Sequence, residues 1–168
     1  MTFFVRTINS ISRIFGIFSA ALVGMAILVV CQMVVMRYFL NASTVWQTEF
    51  VTFAIVAATF MGSPYVLLIK GHVNVDLLPH YLTPRYRKIL AFVASFLALV
   101  FCGVLCWQSF EFFYEALDGG WVTDTVWELP LWIPYSPMFA GLFLLTLQYV
   151  ADILSSAFNV STIVEGEE

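Results

Sequence analysis

Charge disappears from the chain four times, and each gap is long. Ile14–Met36 runs 23 residues without Asp, Glu, Lys or Arg, Phe50–Ile69 runs 20, Ile89–Phe110 runs 22 and Leu131–Ala151 runs 21. A helix needs about 20 apolar residues to cross a hydrocarbon core about 30 Å thick. Each gap meets that length, so the pattern predicts four transmembrane helices. The alternating ten-residue segments of a membrane barrel are absent. Arg6 and Arg13 precede the first run, as in an export signal. The run is far longer than a signal's apolar core of about 7–15 residues, and no small-residue cleavage site closes it, so an uncleaved helix is expected.

Local chemistry marks the helix ends. Thr83-Pro84 and Ser136-Pro137 each place a capping hydroxyl before a proline suited to the first helical position. Helix 3 is therefore expected to begin at Pro84 and run past Phe110, bringing Glu111 and Glu115 one turn apart. Pro137 offers a possible start for helix 4, which would then have to reach about Phe158 to span, with Asp152 near its end. Pro64, after Gly62-Ser63, falls inside helix 2 and is expected to kink it. Asn41 to Thr44 read as a turn feeding helix 2, and Glu165 to Glu168 as a frayed tail. The expected architecture is an all-α membrane protein. It is a single four-helix domain over residues 1–168, with helices at about 14–36, 50–69, 84–112 and 131–156 and short interfacial segments between them.

Basic residues orient the bundle. Arg6, Arg13, Lys70, Arg85, Arg87 and Lys88 fall on one side and only Arg37 on the other. The positive-inside rule puts the first side, and with it both termini, in the cytoplasm. The loop after helix 3 carries Glu111, Glu115, Asp118, Asp124 and Glu128 with no basic residue, and Trp46, Trp107, Trp121, Trp127 and Trp132 fall near the outer interface as an aromatic belt would.

Composition narrows the class. Of 168 residues, 61% are hydrophobic and 11% charged, and mean hydropathy is +0.92. Soluble domains carry about 25% charged residues, so soluble, disordered, collagenous and nucleic-acid-binding classes are excluded. The net charge of −4 argues against a polybasic contact with lipid or nucleic acid. Cys31, Cys102 and Cys106 all lie in apolar runs and read as packing residues.

Candidate chemistry is sparse. No nucleophile–base arrangement, phosphate loop or metal spacing is visible, and no cofactor is expected. A solute path through a membrane is marked by ionisable residues at mid-depth. The centres of all four runs hold no Asp, Glu, Lys, Arg or His. The chain is therefore expected not to move a solute by itself and not to be an enzyme. Two other readings remain open: a four-helix membrane oxidoreductase using Cys102 and Cys106, and a self-contained small transporter. His72 and His80 share one loop, which does not suit axial haem ligation from facing helices.

Small residues recur every four positions at Gly16, Ala20 and Gly24 on helix 1, at Ala54, Ala58 and Gly62 on helix 2, and at Ala94, Ala98 and Cys102 on helix 3. Such rows let helices approach closely, either within this bundle or against another membrane protein. Arg37 and Glu49 flank the turn between helices 1 and 2, near enough to pair with each other, with lipid headgroups or with a partner.

Three segments carry a resemblance. Arg37-Tyr38-Phe39-Leu40-Asn41-Ala42-Ser43-Thr44-Val45-Trp46-Gln47-Thr48-Glu49 resembles the R-Y-x-x-N-x-S-x-x-W-x-x-E segment of small membrane subunits of TRAP transporters, the DctQ type. Gly71-His72-Val73-Asn74-Val75-Asp76-Leu77-Leu78 is similar to that family's G-H-V-x-V-D-x-L stretch after helix 2, and Leu129-Pro130-Leu131-Trp132-Ile133-Pro134-Tyr135 to its L-P-x-W-I-P-Y segment opening helix 4. The likeness runs from helix 1 to helix 4. It implies a bacterial inner-membrane subunit of a sodium-coupled importer of organic acids. The partners it implies are a large elevator-type membrane subunit and a periplasmic substrate-binding protein. By the same resemblance Arg37, Tyr38, Asn41, Trp46 and Glu49 would shape the outer turn. His72 and Asp76 would order the inner loop, and Trp132 and Pro134 the start of helix 4, as structural or interfacial residues.

Overall fold

The structure, a computed structural model, describes residues 2–69 and 84–157. Four helices account for nearly all of them: α1 Thr2–Leu40, α2 Val45–Leu68, α3 Pro84–Asp118 and α4 Trp132–Ala157. All four contain windows long and apolar enough to cross a membrane. Among the described residues there is no strand, only an isolated bridge between Val122 and Pro130. His72, His80, Asp76, the Thr83 hydroxyl and the Glu165–Glu168 tail fall outside the described residues.

The helices are longer than the charge-free runs. At 39 residues α1 measures about 58 Å at 1.5 Å per residue, and it begins well before Ile14. Charge bears on where the hydrocarbon ends rather than on where a helix ends, and Thr2 to Arg13 contains neither Gly nor Pro to break it. Its first turns are used: Ile8 is buried with Leu144 and Ala151 of α4, and Val5, Phe15 and Leu147 pack against them. α3 runs on to Asp118 rather than residue 112. It stops at Gly119-Gly120, where Gly120 turns left-handed at φ 59° and the Gly119 N–H donates to the Glu115 carbonyl at 2.8 Å. α1 stops likewise at Asn41, φ 44°.

The prolines need a correction. α4 begins at Trp132, so Pro137 lies inside it and Ser136 is no N-cap. Ser136 Oγ instead donates to the Ile133 carbonyl at 2.9 Å. That carbonyl is four residues before Pro137, the one orphaned by the missing proline N–H. α2 does the same: Pro64 frees the Phe60 carbonyl, and Ser63 Oγ donates to it at 2.8 Å. Each Ser-Pro pair thus carries its own repair, which matters most at the part-buried Phe60 carbonyl, where water is scarce.

α4 is the hub. It packs against α1, α2 and α3, α1 also packs along α2, and α3 leans mainly on α4. Cys102 of α3 is buried with Leu142 and Leu145 of α4, with Phe60, Leu67 and Tyr149 against them. Toward the α3–α4 turn, Phe110 and Phe113 meet Phe139 at ring separations of 5.3 and 6.3 Å. Close approach comes from small residues. A methyl on Gly16 would lie 2.5 Å from the Tyr65 ring, one on Gly62 would lie 2.7 Å from Ser19 Oγ, and one on Gly141 would strike the Phe60 backbone.

Candidate docking surface

Two turns meet at the end of the bundle opposite the chain termini. The loop between α3 and α4 is folded back on itself. Thr123 N–H donates to the Leu129 carbonyl at 3.0 Å, Leu131 N–H to the Trp121 carbonyl at 2.9 Å, and Glu128 N–H to the Thr125 carbonyl at 3.0 Å, with Glu128 held left-handed at φ 45°. Thr123 Oγ1 is the centre of this loop. It accepts from Leu129 N–H at 3.0 Å, lies 3.3 Å from Thr125 Oγ1, and donates to Glu49 Oε2 at 3.3 Å. A hydroxyl carries one hydrogen, so with Thr123 donating to Glu49 it is Thr125 that donates to Thr123. Trp46 on α2 meets Trp127 of the loop edge to face at 6.4 Å. The loop is thereby clasped onto the first turns of α2.

This clasp settles where Glu49 points. It engages Thr123 rather than Arg37, and its other oxygen, Oε1, is buried with no hydrogen-bond partner. Gln47 is 1% exposed, and its Oε1 is also without a partner. Arg37, Tyr38 and Asn41 are exposed at the end of α1, Trp46 and Trp132 are partly exposed at the same end of the bundle, and Pro134 is buried in the first turn of α4. His72 and Asp76 lie outside the described residues.

The small residues divide. Ala54 and Ala58 are buried, and Gly16 and Gly62 sit in the α1–α2 contact, where Ser19 Oγ donates to the Ala58 carbonyl at 2.6 Å. Ala20 and Gly24 are exposed, and nothing lies within 4 Å of where a Gly24 methyl would be. They are open to lipid or to another protein. Beside them α1 and α2 enclose an open groove of about 390 Å3, lined by Ser19, Val23, Thr59, Gly62, Ser63 and Val66. The three hydroxyls in it are each bonded to a backbone carbonyl, so the groove offers no free donor.

One polar cluster lies deep on the other side. Ser12, fully buried, donates to Gln148 Oε1 at 3.0 Å, and Gln148 Nε2 donates to Asn9 Oδ1 at 3.0 Å. The bonds tie α1 to α4. Sequence reasoning passed over Gln148, and the available signal was an amide in register with the buried Leu144 and Ala151. Cys31, Cys102 and Cys106 are free thiols. Among the described residues no group of three His, Cys, Asp or Glu could hold a metal. The helix centres of the described residues contain amides, hydroxyls and thiols but no Asp, Glu, Lys, Arg or His.

Residues 26–159 match the DctQ component of tripartite ATP-independent periplasmic transporters. The chain belongs to the DctQ family. A C4-dicarboxylate TRAP transporter small permease protein DctQ from Vibrio cholerae serotype O1 is 27% identical over 138 residues, covering 70% of this chain and 60% of that protein. The chain thus spans about 60% of the length of this curated relative. No solved structure matches the chain. Within the DctQ match fall both turns, the Glu49–Thr123 clasp and helices α2 to α4. The part of α1 from Thr2 to Met25, with Asn9 and Ser12, precedes it. Membership of this family accords with the four helices long and apolar enough to cross a membrane.

Proposed function

We propose that this protein is the non-catalytic scaffold subunit of a sodium-coupled importer of organic acids in a bacterial inner membrane. It docks on a large elevator-type membrane subunit and supports uptake from a periplasmic substrate-binding protein. Both termini are cytoplasmic on this reading, which follows from the six basic residues on the side of the termini against Arg37 on the other. The DctQ match and the relative's printed description as a C4-dicarboxylate transporter component support the substrate class.

One observation carries the scaffold role: the described span centres hold no ionisable residue, and the Ser19 and Ser63 hydroxyls beside the α1–α2 contact are bonded to backbone. A polar solute or a coupling ion crossing a bilayer needs charged or unsatisfied polar groups to replace its water. A fixed domain needs none. It gains from lipid-facing area and from tryptophans that resist tilt. Arg37, Tyr38, Asn41, Trp46, Glu49, Trp132 and Pro134 shape the outer end on this reading, His72 and Asp76 the inner loop, and the open row of Ala20 and Gly24 is the face presented to the large subunit.

The test is co-expression with the large subunit and the binding protein. The chain is expected to co-purify with the large subunit in mild detergent, and vesicles lacking the chain to lose uptake. Full-rate uptake by the large subunit and binding protein alone would remove the obligatory role, and uptake by this chain alone would overturn the scaffold reading.

A further inference from the structure

The first turn of α2 is left unfinished in the grip of the α3–α4 loop. Gln47 is fully buried, yet its Oε1 accepts nothing, and Glu49 Oε1 is buried and equally without a donor. A buried acceptor left unpaired costs more than one ordinary hydrogen bond returns. Thr44 and Gln47 have the Thr-x-x-Gln spacing of a capping box. In a closed box the hydroxyl takes the N–H of the later residue, and the amide oxygen takes the N–H of the earlier one. Here Thr44 makes no side-chain cap and stands at ψ 36°, outside the extended geometry a cap uses. Trp46 and Glu49, the two residues the loop holds, flank Gln47, so holding them holds the turn in the geometry that leaves the box open.

The grip is light, and the part that grips is stiff. Thr123 Oγ1 lies 3.3 Å from Glu49 Oε2, whereas a hydroxyl normally approaches a carboxylate to about 2.5–2.7 Å. Trp46 and Trp127 touch edge to face at 6.4 Å, and both remain exposed. The bonds of Thr123 to Leu129, Glu128 to Thr125 and Leu131 to Trp121 join the loop to itself, so they survive its movement as a unit. Below that neck lies Gly119-Gly120, whose backbone is free of a side chain's restrictions. We propose that residues 121–131 form a flap that swings about Gly119-Gly120 between this clasped state and a released one. In the released state Thr44 and Gln47 close the capping box, and Glu49 Oε1 meets water. Release exchanges one long hydrogen bond and one ring contact for two box bonds and a hydrated carboxylate. Both states belong to this chain alone and are independent of the scaffold role.

The full chain carrying fluorotryptophan, followed by fluorine NMR in detergent micelles, tests this. Trp46 and Trp127, assigned through Trp46→Phe and Trp127→Phe, are expected to report one shared minor state of about 10% or less, as a second line or as exchange broadening. Trp107 and Trp132 are expected to report none. Thr123→Val is expected to raise the minor share about fivefold. Thr44→Ala breaks no cap of the clasped state, and Gln47→Met removes the unpaired amide; each is expected to lower the share about fivefold. No exchange at Trp46 and Trp127, equal exchange at Trp107 and Trp132, or a share that Thr44→Ala leaves unchanged would each overturn the proposal. A share that Gln47→Met leaves unchanged or raises would show a bound water on the amide in place of a moving flap, and would overturn it too. Should Gln47→Met fail to fold, Thr44→Ala decides alone.

Discussion

The backbone of Gly141 lies directly against the carbonyl of Phe60. Pro64 has freed that carbonyl from its helix, Ser63 Oγ has taken it up at 2.8 Å, and the bare Cα of Gly141 closes over it. The contact joins α2 to α4, the helix that the other three share.

Gly141→Ala therefore forces a methyl into backbone that cannot swing aside. The expected loss is about 1–3 kcal/mol, read as a lower midpoint of thermal unfolding in detergent. Gly24→Ala, with open space at the same atom, is the control and is expected to leave the midpoint unchanged or slightly raised.

The two Ser-Pro repairs differ in burial, and so should their loss. Ser63→Ala orphans the part-buried Phe60 carbonyl, whereas Ser136→Ala orphans the exposed Ile133 carbonyl, where water or headgroups substitute. The first is expected to cost about 1–2 kcal/mol and the second less than half of that, measured in the same unfolding assay.

Gln148→Leu removes both bonds between α1 and α4 and leaves Ser12 and Asn9 without their partner. Interhelical bonds in membranes average about 0.6 kcal/mol and reach about 1.7, so a loss of about 1–3 kcal/mol is expected. The structural readout is faster proteolysis or exchange in the first three turns of α1, which the bonds hold down. Unchanged protection there would show that Ile8 and Phe15 suffice.

Thr123→Val keeps the shape of the α3–α4 loop and removes its central oxygen. The Leu129 N–H and Glu49 Oε2 both lose a partner, at about 1–3 kcal/mol of local stability. Hydrogen exchange at Leu129 is expected to accelerate and the Trp46–Trp127 contact to loosen, seen as a shift in tryptophan emission. Thr123→Ser, which retains the hydroxyl, is expected to restore both.

Much of this molecule was legible in one dimension. The number of helices, their order and the absence of charge at their centres follow from chain length and side-chain hydrophobicity alone, because hydrocarbon tolerates no unpaired backbone and little charge. The R-Y-x-x-N, G-H-V-x-V-D and L-P-x-W-I-P-Y segments pointed to the DctQ family. Packing was decided elsewhere. Whether Pro137 starts a helix or interrupts one depended on the residues before it, since Trp132 to Ser136 are already helical. The partner of Glu49 depended on a loop some seventy residues later folding back to present Thr123. Gly16 and Gly24 sit in the same four-residue row, yet only Gly16 meets a side chain, because a helix has several faces and only three-dimensional assembly chooses which of them is covered. Polarity along the chain determines what must be in the membrane, and the close contacts among Gly141, Phe60, Gln148 and Ser12 determine how it is arranged there.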